Sequence, residues 1–600
     1  MQKSRLLGNK KTGKHPQNII FLDTETEEVP ISPNKVKLKL QLGWAAYVSE
    51  KNDRPGYHEK WFWFNKTDQI NKYIESKLHK KRPLYIFASN PDFDLKVIDF
   101  YRYFTEAKWE LDFFTSNQMV YILKISKNKQ SIIVMAVQNY LKLSVKHLGE
   151  AIDLPKLDID FKDATPYQKT IYCKRDVEII KKTIMDYLQY IRPKDFGAFA
   201  YTAPGQAFNH FTNKFSHKKI WTNHTPEIAD LARAAYFGGR NECFQIGKIP
   251  TKNVYVLDIN SMYPYVMKEN DYPVELRGYY VNPPLPQIKK LLKKFAISAE
   301  VIINLKNPYI AKIVNQKTCF PIGIFTAFVN TAGLQKLFED KAVLHIKRIA
   351  VYKKMNIFKD YVNYWYRLKK RYTKRCDDQY TLITKLFLNS LYGKFGQKRP
   401  KILDRRYVPE NTFKKETIIS MTSGHRMTQT TLFHKQTTEM GYLESYKSVP
   451  AIAAHVTENA RLLLWELIAK AGSDNVYYCD TDSLFVNELG YHFLESEIDK
   501  DKLGKLKLEG VYNKAVLHTC KDYELDNLIK IKGVKKGSKK IQDTTYWQER
   551  FQSIKADLRE GIYTLPIIER YKKTLKRTYD KGILAKDGKV YPFHLLDEGE

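Results

Sequence analysis

The chain has 600 residues, 43% of them hydrophobic and 13% aromatic, so it can form several folded cores and cannot be disordered throughout. Lysine and arginine number 100 against 66 acidic residues, and the formal net charge of +34 favours a polyanionic partner: nucleic acid, a membrane surface or a ribosome. The six cysteines include no CxxC pair and no apolar run is long enough to cross a bilayer, which argues against a disulfide framework, a zinc knuckle and a membrane protein.

In chain order, a basic segment of 20 residues comes first; we predict a flexible tail, with a mitochondrial presequence as the alternative. Strands and helices then alternate as far as Ile191, where Arg192 and Pro193 interrupt the pattern. The residues from Trp547 onwards are highly charged and are predicted to be largely helical. The predicted strands are Asn18–Thr24, Val36–Val48, Glu59–Phe64, Leu84–Ala88 and Val254–Asp258, with a hairpin at Tyr477–Val486, and the predicted helices are Gln69–Leu78, Lys359–Tyr392 and Thr457–Ala471.

The first α/β unit contains three acidic patterns. Asp23 and Glu25 lie two residues apart on a predicted strand, so they face the same side and repel each other unless a cation lies between them. Asp94 follows the buried strand Leu84–Ala88, and Asp176 lies at the start of a predicted helix. A DxE pair alone is most often a solvated turn, but the three patterns together favour a shared metal site.

Three further patterns lie in the second half of the chain. Carboxylates occur at the end of a predicted strand and in the predicted hairpin, and a lysine lies on the helix between them. On that helix Lys385, Asn389 and Tyr392 share one face, because they are four and three residues apart. Such a face can present a cation and an aromatic ring to a phosphorylated ligand. The three patterns are DINSMYP from Asp258, KLFLNSLYG from Lys385 and YCDTDS from Tyr478.

DTE at Asp23, NPDFD at Asn90 and YCKRD at Tyr172 resemble, in this order, the 3′–5′ exonuclease motifs of family B DNA polymerases. The three downstream patterns resemble the polymerase motifs of the same family, with Met262 where leucine is usual, an exchange that conserves volume. The resemblance covers nearly the whole chain. It implies a multidomain α/β and α+β protein, in which an RNase H-like exonuclease domain precedes a right-hand polymerase with a ferredoxin-like palm, helical fingers and a small thumb. The implied activity is DNA-directed DNA synthesis with proofreading.

For the exonuclease, the resemblance implies two metal ions that activate a water and stabilise the leaving 3′ oxygen. Tyr172 would orient this water, while Asn90 and Phe93 would hold the frayed primer end. Lys156 falls where the protein-primed subgroup has a catalytic lysine, and the alternative is an ordinary surface lysine. The implied metal ligands are Asp23, Glu25, Asp94 and Asp176.

For the polymerase, the resemblance implies two Mg²⁺ ions, with Mn²⁺ as a substitute. Asp258, the backbone of Ile259 and Asp480 would hold the ions, and Asp482 would support the site at its edge. Tyr263 would pack under the deoxyribose and exclude a 2′ hydroxyl. The other implied nucleotide-binding residues are Lys385, Asn389, Tyr392 and, from an upstream basic helix, Lys369. The implied DNA contacts are Tyr236, Gly238 and Gly239, which resemble the YxGG segment, and Lys521 and Tyr523, which resemble the KxY motif.

Two long intervals, 271–358 and 397–447, lie where the protein-primed polymerases of phages, adenoviruses and linear plasmids carry their two terminal-protein regions. The resemblance therefore implies a terminal protein as primer, strand displacement, and a monomer that acts in the cytoplasm of a viral or plasmid host. Its ligands would be primer-template DNA, single-stranded DNA and dNTPs. The alternatives are a primer-dependent or self-priming family B polymerase without terminal protein, a DNA-binding exonuclease whose polymerase half is silent, and, for location, the mitochondrion. The implied domains are exonuclease 1–195, palm 196–270 and 448–545, fingers 359–396 and thumb 546–600, with the two intervals as insertions.

Overall fold

The computed structural model describes residues 4–8, 13, 15–50, 56–117, 120–161, 163–216, 219–410, 412–421 and 424–596. Of the predicted flexible tail, residues 4–8, 13 and 15–20 are described, and Arg5–Leu6 pairs with Trp221–Thr222, so this part of the prediction is wrong. Within the described ranges, no helix is both long enough and apolar enough to cross a membrane.

The helices and strands are as follows. The first third contains β1 (Arg5–Leu6), β2 (Asn18–Ser32), β3 (Lys35–Glu50), β4 (Tyr57–Phe64), α1 (Thr67–Ser76), β5 (Leu84–Ala88), α2 (Pro91–Val97), α3 (Phe100–Glu106), β6 (Glu110–Asn117), β7 (Val120–Lys127), β8 (Gln130–Ala136), α4 (Val145–Ala151) and α5 (Pro166–Tyr190). The middle contains α6 (Ala203–His210), β9 (Trp221–Thr222), α7 (Pro226–Ala234), β10 (Asn241–Cys243), β11 (Gly247–Lys248), β12 (Val254–Ile259), α8 (Met262–Glu269), β13 (Tyr272–Val281), α9 (Leu285–Lys294), β14 (Phe295–Leu305), β15 (Lys312–Val314), β16 (Lys317–Cys319), β17 (Ile322–Val329), α10 (Thr331–Glu339), β18 (Val343–Met355), α11 (Lys359–Lys374) and α12 (Asp378–Phe395). The last third contains β19 (Lys398–Tyr407), β20 (Lys414–Ile419), β21 (Arg426–Leu432), β22 (Lys435–Glu444), α13 (Pro450–Ala471), β23 (Val476–Asp480), β24 (Ser483–Val486), α14 (Glu488–Leu494), β25 (Leu506–Tyr512), β26 (Ala515–Thr519), β27 (Asp522–Leu525), β28 (Leu528–Lys530), β29 (Lys540–Gln542), β30 (Thr545–Phe551), α15 (Ile554–Glu560), β31 (Ile567–Thr574), β32 (Ile583–Leu584), β33 (Val590–Tyr591) and β34 (His594–Leu595).

The first unit is built on a large mixed sheet in the order β29-β30-β31-β3-β2-β5-β8-β7-β6, with β4 also paired to β3. Its central strands β2, β5 and β8 are parallel, and every residue of β5 is buried, as expected for a parallel strand covered on both faces. Helix α5 packs against β2 and β3. It begins at Pro166 rather than near Tyr172 as expected, because Thr165 and Gln168 form a capping box.

The prediction that the C-terminal residues from Trp547 onwards are largely helical is wrong. Strands β30 and β31 form a hairpin, and β31 pairs with β3, so the tail extends the sheet of the first unit. Between residues 547 and 596, the described part of the tail, only the short α15 is α-helical. The charged residues of this hairpin pair across the strands, for example Arg550 with Glu569 and Arg570 with Glu549. A run of charged residues therefore did not indicate a helix here, because such residues can also form ion pairs between neighbouring strands.

The second unit is organised around an antiparallel sheet in the order β10-β23-β24-β12-β25. The predicted hairpin at Tyr477–Val486 is confirmed as β23 and β24. The long helix predicted over Lys359–Tyr392 is instead the pair α11 and α12, because Cys376 takes a left-handed conformation (φ 54°) and Asp377 caps the second helix. The helix predicted to begin at Thr457 begins earlier, at Pro450.

Each of the two long intervals folds as a sheet. The first forms the sheet β13-β18-β14-β17, and the C-terminal strand β34 joins it in parallel with β17. The second forms the antiparallel sheet β19-β22-β21-β20, in agreement with its β-leaning sequence. Phe433, in the turn between β21 and β22, is fully buried and belongs to the hydrophobic core of the first unit. The second interval is therefore anchored to the first unit.

Candidate active sites

The first site lies where β2 leaves the core. Asp23 and Glu25 share a strand face, and Thr24 between them donates its hydroxyl to Asp94 Oδ1 at 2.7 Å. Helix α5 brings Asp176 and Cys173 to the same place, and the thiol lies 3.9 Å from Asp23 Oδ2. The structure thus brings together all four acidic residues singled out in the sequence, through three elements that are distant in the chain.

Crowding and burial change the acidity of these groups. Burial, followed by the charges of Asp94, Asp176 and Glu25, raises the pKa of Asp23 well above its usual range. Burial and the charge of Asp176 raise the pKa of Glu25 to about 8, and burial raises the pKa of Asp94 to about 7. Repulsion of this kind is relieved by a divalent cation, and carboxylate oxygens are the ligands that Mg²⁺ prefers.

Asp176 provides an independent indication of fit. Its side chain is 3% exposed, and in the described part of the chain its Oδ1 has no hydrogen-bond partner. A buried carboxylate oxygen left in this state costs free energy unless a ligand satisfies it. The donors present therefore suit a hard divalent cation, held by Asp23, Glu25 and Asp176, with Asp94 behind them.

Lys156 and Tyr172 lie at the edge of this cluster. Lys156 forms an ion pair with Asp176 Oδ2, and its ammonium lies 4.3 Å from the centre of the Tyr172 ring. Burial lowers the pKa of Lys156, but hydrogen bonds to Asp176 and Tyr172 raise it by more, so the side chain is a cation. It is thus in contact with the acidic cluster.

The residues predicted to hold a primer end lie around α2. Asn90 is exposed and immediately precedes this helix. The Phe93 ring is half-buried and lies 5.3 Å from the ring of Phe551, which belongs to the C-terminal hairpin. A side chain of the C-terminal hairpin therefore borders the first site, which local sequence patterns did not indicate.

The second site lies at the edge of the palm-like sheet β10-β23-β24-β12-β25. Asp258, one residue before the end of β12, lies opposite Ser483, and the backbone N–H of Ile259 donates to the carbonyl oxygen of Asp482 at 2.7 Å. Burial, and next the charge of Asp482, raise the pKa of Asp258 to about 7. Burial, and next the charge of Asp480, raise the pKa of Asp482. Asp482 is therefore the neighbouring carboxylate whose charge acts most strongly on Asp258.

Asp480 has a different environment. Its carboxylate accepts hydrogen bonds from Lys521 Nζ at 2.7 and 3.0 Å and from Asn241 Nδ2 at 2.8 Å. The charge of Asp480 is thus paired with Lys521, whereas the charge of Asp482 acts on Asp258. The geometry favours Asp482 over Asp480 as the partner of Asp258, which reverses the order expected from the sequence.

The aromatic residues of this site form a stack. The rings of Tyr263 and Tyr392 lie 4.6 Å apart with an interplanar angle of 20°. A Cβ at Gly239 would lie 2.8 Å from Thr481 Cγ2 and 3.1 Å from the Tyr263 hydroxyl, so only glycine fits there without displacement. The half-buried Tyr236 lies instead against Gly396, at the end of α12. The close approach at Gly239 thus serves packing within the site.

Two lysines flank Asp258 from the helical side. Lys369 on α11 donates to Ser261 Oγ at 3.1 Å, and burial, together with the charge of Lys385, lowers its pKa. Lys385 and Asn389 are exposed on α12, on the face that carries Tyr392. The structure therefore brings Lys369 close enough to both Lys385 and Asp258 for their charges to interact.

Tyr523 is not placed as the sequence suggested for a DNA contact. It is buried at 8% exposure, and its ring packs 5.2 Å from Phe485 and 5.7 Å from Tyr478. Lys521 is the exposed member of the motif. Tyr523 therefore supports the hairpin β23–β24 from below, and Lys521 faces the site.

Several residues of these sites were missed in the sequence. Thr24 and Cys173 had a usable signal, because each lies within an acidic motif. Arg461 interrupts the otherwise apolar run of α13, and its guanidinium donates to the carbonyl oxygens of Phe237 and Gly238 at 2.9 Å. Asn241 gave no local signal, since its contact with Asp480 spans 239 residues.

The fold carries one acidic site on the sheet of the first unit and another on the antiparallel sheet of the second unit. The family model described as DNA polymerase type B, organellar and viral, matches residues 162–472. The chain belongs to this family.

Individual proteins similar to this chain are also described as DNA polymerases. A probable DNA polymerase of Ascobolus immersus is 28% identical over 342 residues, which is 54% of this chain and 27% of that protein's own length. The DNA polymerase of Bacillus phage Nf is 25% identical over 431 residues, covering 67% of this chain and 69% of the phage protein. The structure of Phi29 DNA polymerase complexed with primer-template DNA superposes with a TM-score of 0.66 at 17% identity, over 93% of this chain and 100% of that one. The fold is therefore that of an exonuclease joined to a right-hand polymerase with terminal-protein-region insertions.

Proposed function

We propose that the chain is a DNA-directed DNA polymerase that also removes nucleotides from the 3′ end of a primer. The observation that carries this proposal is the presence of two separate carboxylate clusters, around Asp23 and Glu25 on one sheet and around Asp258 and Asp482 on another. Both clusters suit divalent cations, and two-ion sites of this type transfer or hydrolyse phosphodiesters. Membership of the type B polymerase family supports DNA as the substrate.

In the polymerase site, Asp258, Asp482 and the backbone carbonyl of Ile259 would hold Mg²⁺. When bound, the metal lowers the pKa of the primer 3′ hydroxyl and stabilises charge on the departing pyrophosphate. Lys385 neutralises the triphosphate from α12, with Lys369 behind it.

The stack of Tyr263 and Tyr392 forms a flat surface beside this site. We assign the sugar to the Tyr263 end, where an additional 2′ hydroxyl would meet the ring. The base pair lies over Tyr392, and the exposed Asn389 faces the incoming nucleotide from the same helix.

In the exonuclease site, Asp23, Glu25, Asp94 and Asp176 would hold two metal ions, which supply a nucleophilic hydroxide. Lys156 keeps its positive charge beside Asp176, where it stabilises negative charge on the scissile phosphate. Tyr172 presents its hydroxyl next to Lys156 and orients the attacking water. Asn90 and Phe93 hold the terminal nucleotide at the mouth of the site.

The DNA itself would follow the basic surface. Lys521 is exposed and already pairs with Asp480, so it can hold a primer phosphate next to the metal site. Tyr236, Gly238 and Gly239 form the segment between the two units and face the template. Phi29 DNA polymerase, which has this fold, has been solved with primer-template DNA and with single-stranded DNA, and we extend these two ligands to the present chain.

We also propose that a priming protein supplies the hydroxyl on which synthesis begins. Both intervals that resemble terminal-protein regions fold as sheets, and the second is anchored to the first unit, which suits the binding of a priming protein and of duplex DNA. A Ser, Thr or Tyr hydroxyl of that protein would replace the primer 3′ hydroxyl. We further propose that the enzyme acts as a monomer in the cytoplasm of a viral or plasmid host.

Separation-of-function variants test the two sites. Asp482→Asn should abolish extension of an annealed primer and spare its shortening, whereas the double variant Asp23→Asn, Glu25→Gln should do the reverse. Asp480→Asn, at the position paired with Lys521, should retain more extension than Asp482→Asn. If Asp482→Asn extends primers normally, the palm assignment fails; if the double variant trims primers normally, the exonuclease assignment fails.

A further inference from the structure

Cys173 places a thiol inside the first acidic site. It lies on α5, three residues before Asp176, and its side chain is fully buried. The thiol points at the backbone carbonyl oxygen of Asp23 at 3.5 Å and lies 3.9 Å from Asp23 Oδ2. The sulfur, one Asp23 oxygen and one Glu25 oxygen all lie within 4.8 Å of one another. Three potential metal donors of two chemical kinds therefore converge.

A second observation points to a ligand at the same place. Asp176 is 3% exposed, and among the described residues its Oδ1 has no hydrogen-bond partner. Asp176 lies three residues after Cys173 on α5, and of the neighbouring charges its own acts most strongly on Glu25. A cation at this place would therefore also compensate the charge of Asp176.

The chemistry of the donors distinguishes between cations. Mg²⁺ binds oxygen and avoids sulfur, so it would use the carboxylates alone. Zn²⁺ and Cd²⁺ bind thiolates well, and a tetrahedral zinc with sulfur at about 2.3 Å and oxygen at about 2.0 Å separates these two atoms by roughly 3.5 Å. The 3.9 Å between Cys173 Sγ and Asp23 Oδ2 is close to that separation. A thiophilic cation therefore gains a ligand here that Mg²⁺ does not use.

We propose that Asp23, Glu25 and Cys173 form a capture site for a thiophilic divalent cation of the Zn²⁺ and Cd²⁺ class, which displaces Mg²⁺ and stops primer degradation. On binding, the Cys173 S–H bond breaks, a metal–sulfur bond forms and the proton passes to solvent, with no change of oxidation state. Capture of the cation follows from the donors alone, whereas inhibition rests on the proposed exonuclease function.

Binding is tested on the full-length, metal-free protein with Cd²⁺, by the ultraviolet charge-transfer absorbance of the cadmium–thiolate bond. Cys173→Val should remove one cadmium–thiolate bond from the titration and weaken the tightest binding at least about tenfold, as expected when a direct ligand is lost. The exposed Cys376 offers a matched control, and Cys376→Ser should leave this tight phase unchanged. Cys243 and Cys520 lie in a separate buried cluster and contribute equally to both proteins, so they cancel in the difference.

Asp23→Asn covers the case in which Cys173→Val fails to fold, because it keeps the thiol and removes a carboxylate. It too should weaken Cd²⁺ at least about tenfold. A tight Cd²⁺ phase with full thiolate absorbance in both Cys173→Val and Asp23→Asn would overturn the proposed site.

Inhibition is tested with Zn²⁺ added to a Mg²⁺ reaction, and each variant is normalised to its own activity without Zn²⁺. Primer shortening by the wild-type chain should stop at a lower Zn²⁺ concentration than primer extension, and Cys173→Val should remove most of this difference. Equal sensitivity of shortening and extension in the wild-type chain would contradict selective capture. A chain that binds Cd²⁺ through Cys173 but shows no shortening in Mg²⁺ would instead refute the exonuclease proposal and leave the metal site intact.

Discussion

Lys96 and Asp557 form an ion pair at 2.7 Å although 461 residues separate them, and both side chains are fully buried. Lys96 also donates to the carbonyl oxygen of Gln552 at 2.8 Å, and Asp557 accepts from the hydroxyl of Thr564 at 2.9 Å. The pair fastens α15, in the C-terminal segment, to α2, the helix that carries Asp94. The C-terminal segment is therefore tied directly to the helix that contributes Asp94 to the first site.

Removing one partner of this pair should destabilise the protein. Asp557→Leu leaves an unpaired buried ammonium, for which a loss of about 3–5 kcal/mol is expected. The double variant Asp557→Leu, Lys96→Met should recover most of that loss, because two apolar side chains of similar size need no partner. The thermal unfolding midpoint is the measurement. A single variant as stable as the wild-type chain would show that the contact is not maintained in solution.

Stability in the absence of metal should fall as the pH rises. Glu25 has a folded-state pKa of about 8 against 4.5 as its usual value, so between these two values the folded chain holds a proton that the unfolded chain has released. The stabilisation from this proton is complete below about pH 4.5 and is lost as the pH rises through about 8. Asp94, with a pKa of about 7, acts in the same direction.

Added Mg²⁺ should therefore raise the unfolding midpoint more at pH 8 than at pH 6, because it replaces the protons that the cluster has lost. The measurement is the unfolding midpoint in EDTA and in Mg²⁺ at both values. Glu25→Gln serves as the control, because it removes the carboxyl group whose pKa is about 8. In this variant the increase in the unfolding midpoint caused by Mg²⁺ should depend less on pH. A Mg²⁺ effect that shrinks from pH 6 to pH 8 would contradict the proposed electrostatics.

Sugar selection should depend on Tyr263. Tyr263→Val removes the ring that would meet a 2′ hydroxyl, and we expect ribonucleotide incorporation relative to deoxyribonucleotide incorporation to rise about 10- to 100-fold. Tyr392→Phe, which keeps the aromatic stack, is the matched control and should change the ratio little. The measurement is kcat/KM for a ribonucleotide and for its deoxyribonucleotide on one primer. An unchanged ratio in Tyr263→Val would remove the residue from sugar selection.

The second interval should help to retain DNA during synthesis. Deleting it whole would remove the buried Phe433 from the core of the first unit, so exposed cations are the better targets. Lys398→Glu with Arg426→Glu should shorten the products made in a single binding event and increase the salt sensitivity of synthesis, because phosphate contacts are lost. Incorporation of the first nucleotide should be unchanged. Products of full length would contradict a role in retention.

Local sequence patterns predicted the strands and helices that depend mainly on neighbouring residues. Leu84–Ala88 is a strand with the expected ends, because a short apolar run bounded by polar turns has few alternatives. The four acidic residues of the first site do converge, two of them from one face of β2 and the other two from helices α2 and α5.

Contacts between distant segments could not be predicted from one sequence. The pairing of β31 with β3 and the Lys96–Asp557 pair join the two ends of the chain, and no local periodicity records such partners. The same limit affected Asp480. The sequence shows two equivalent carboxylates in YCDTDS, and only the fold shows that the first of them pairs with Lys521 and accepts a hydrogen bond from Asn241.

The most direct measurement uses a 5′-labelled primer annealed to a longer template, incubated with the wild-type chain and Mg²⁺, with and without dNTPs. We expect the primer to lengthen to the template end with dNTPs and to shorten stepwise without them, because the two carboxylate sites act on the same 3′ end. Shortening in both reactions would mean that the polymerase half is silent and that the chain is a DNA-binding exonuclease. A primer left unchanged in both reactions would contradict both proposed activities.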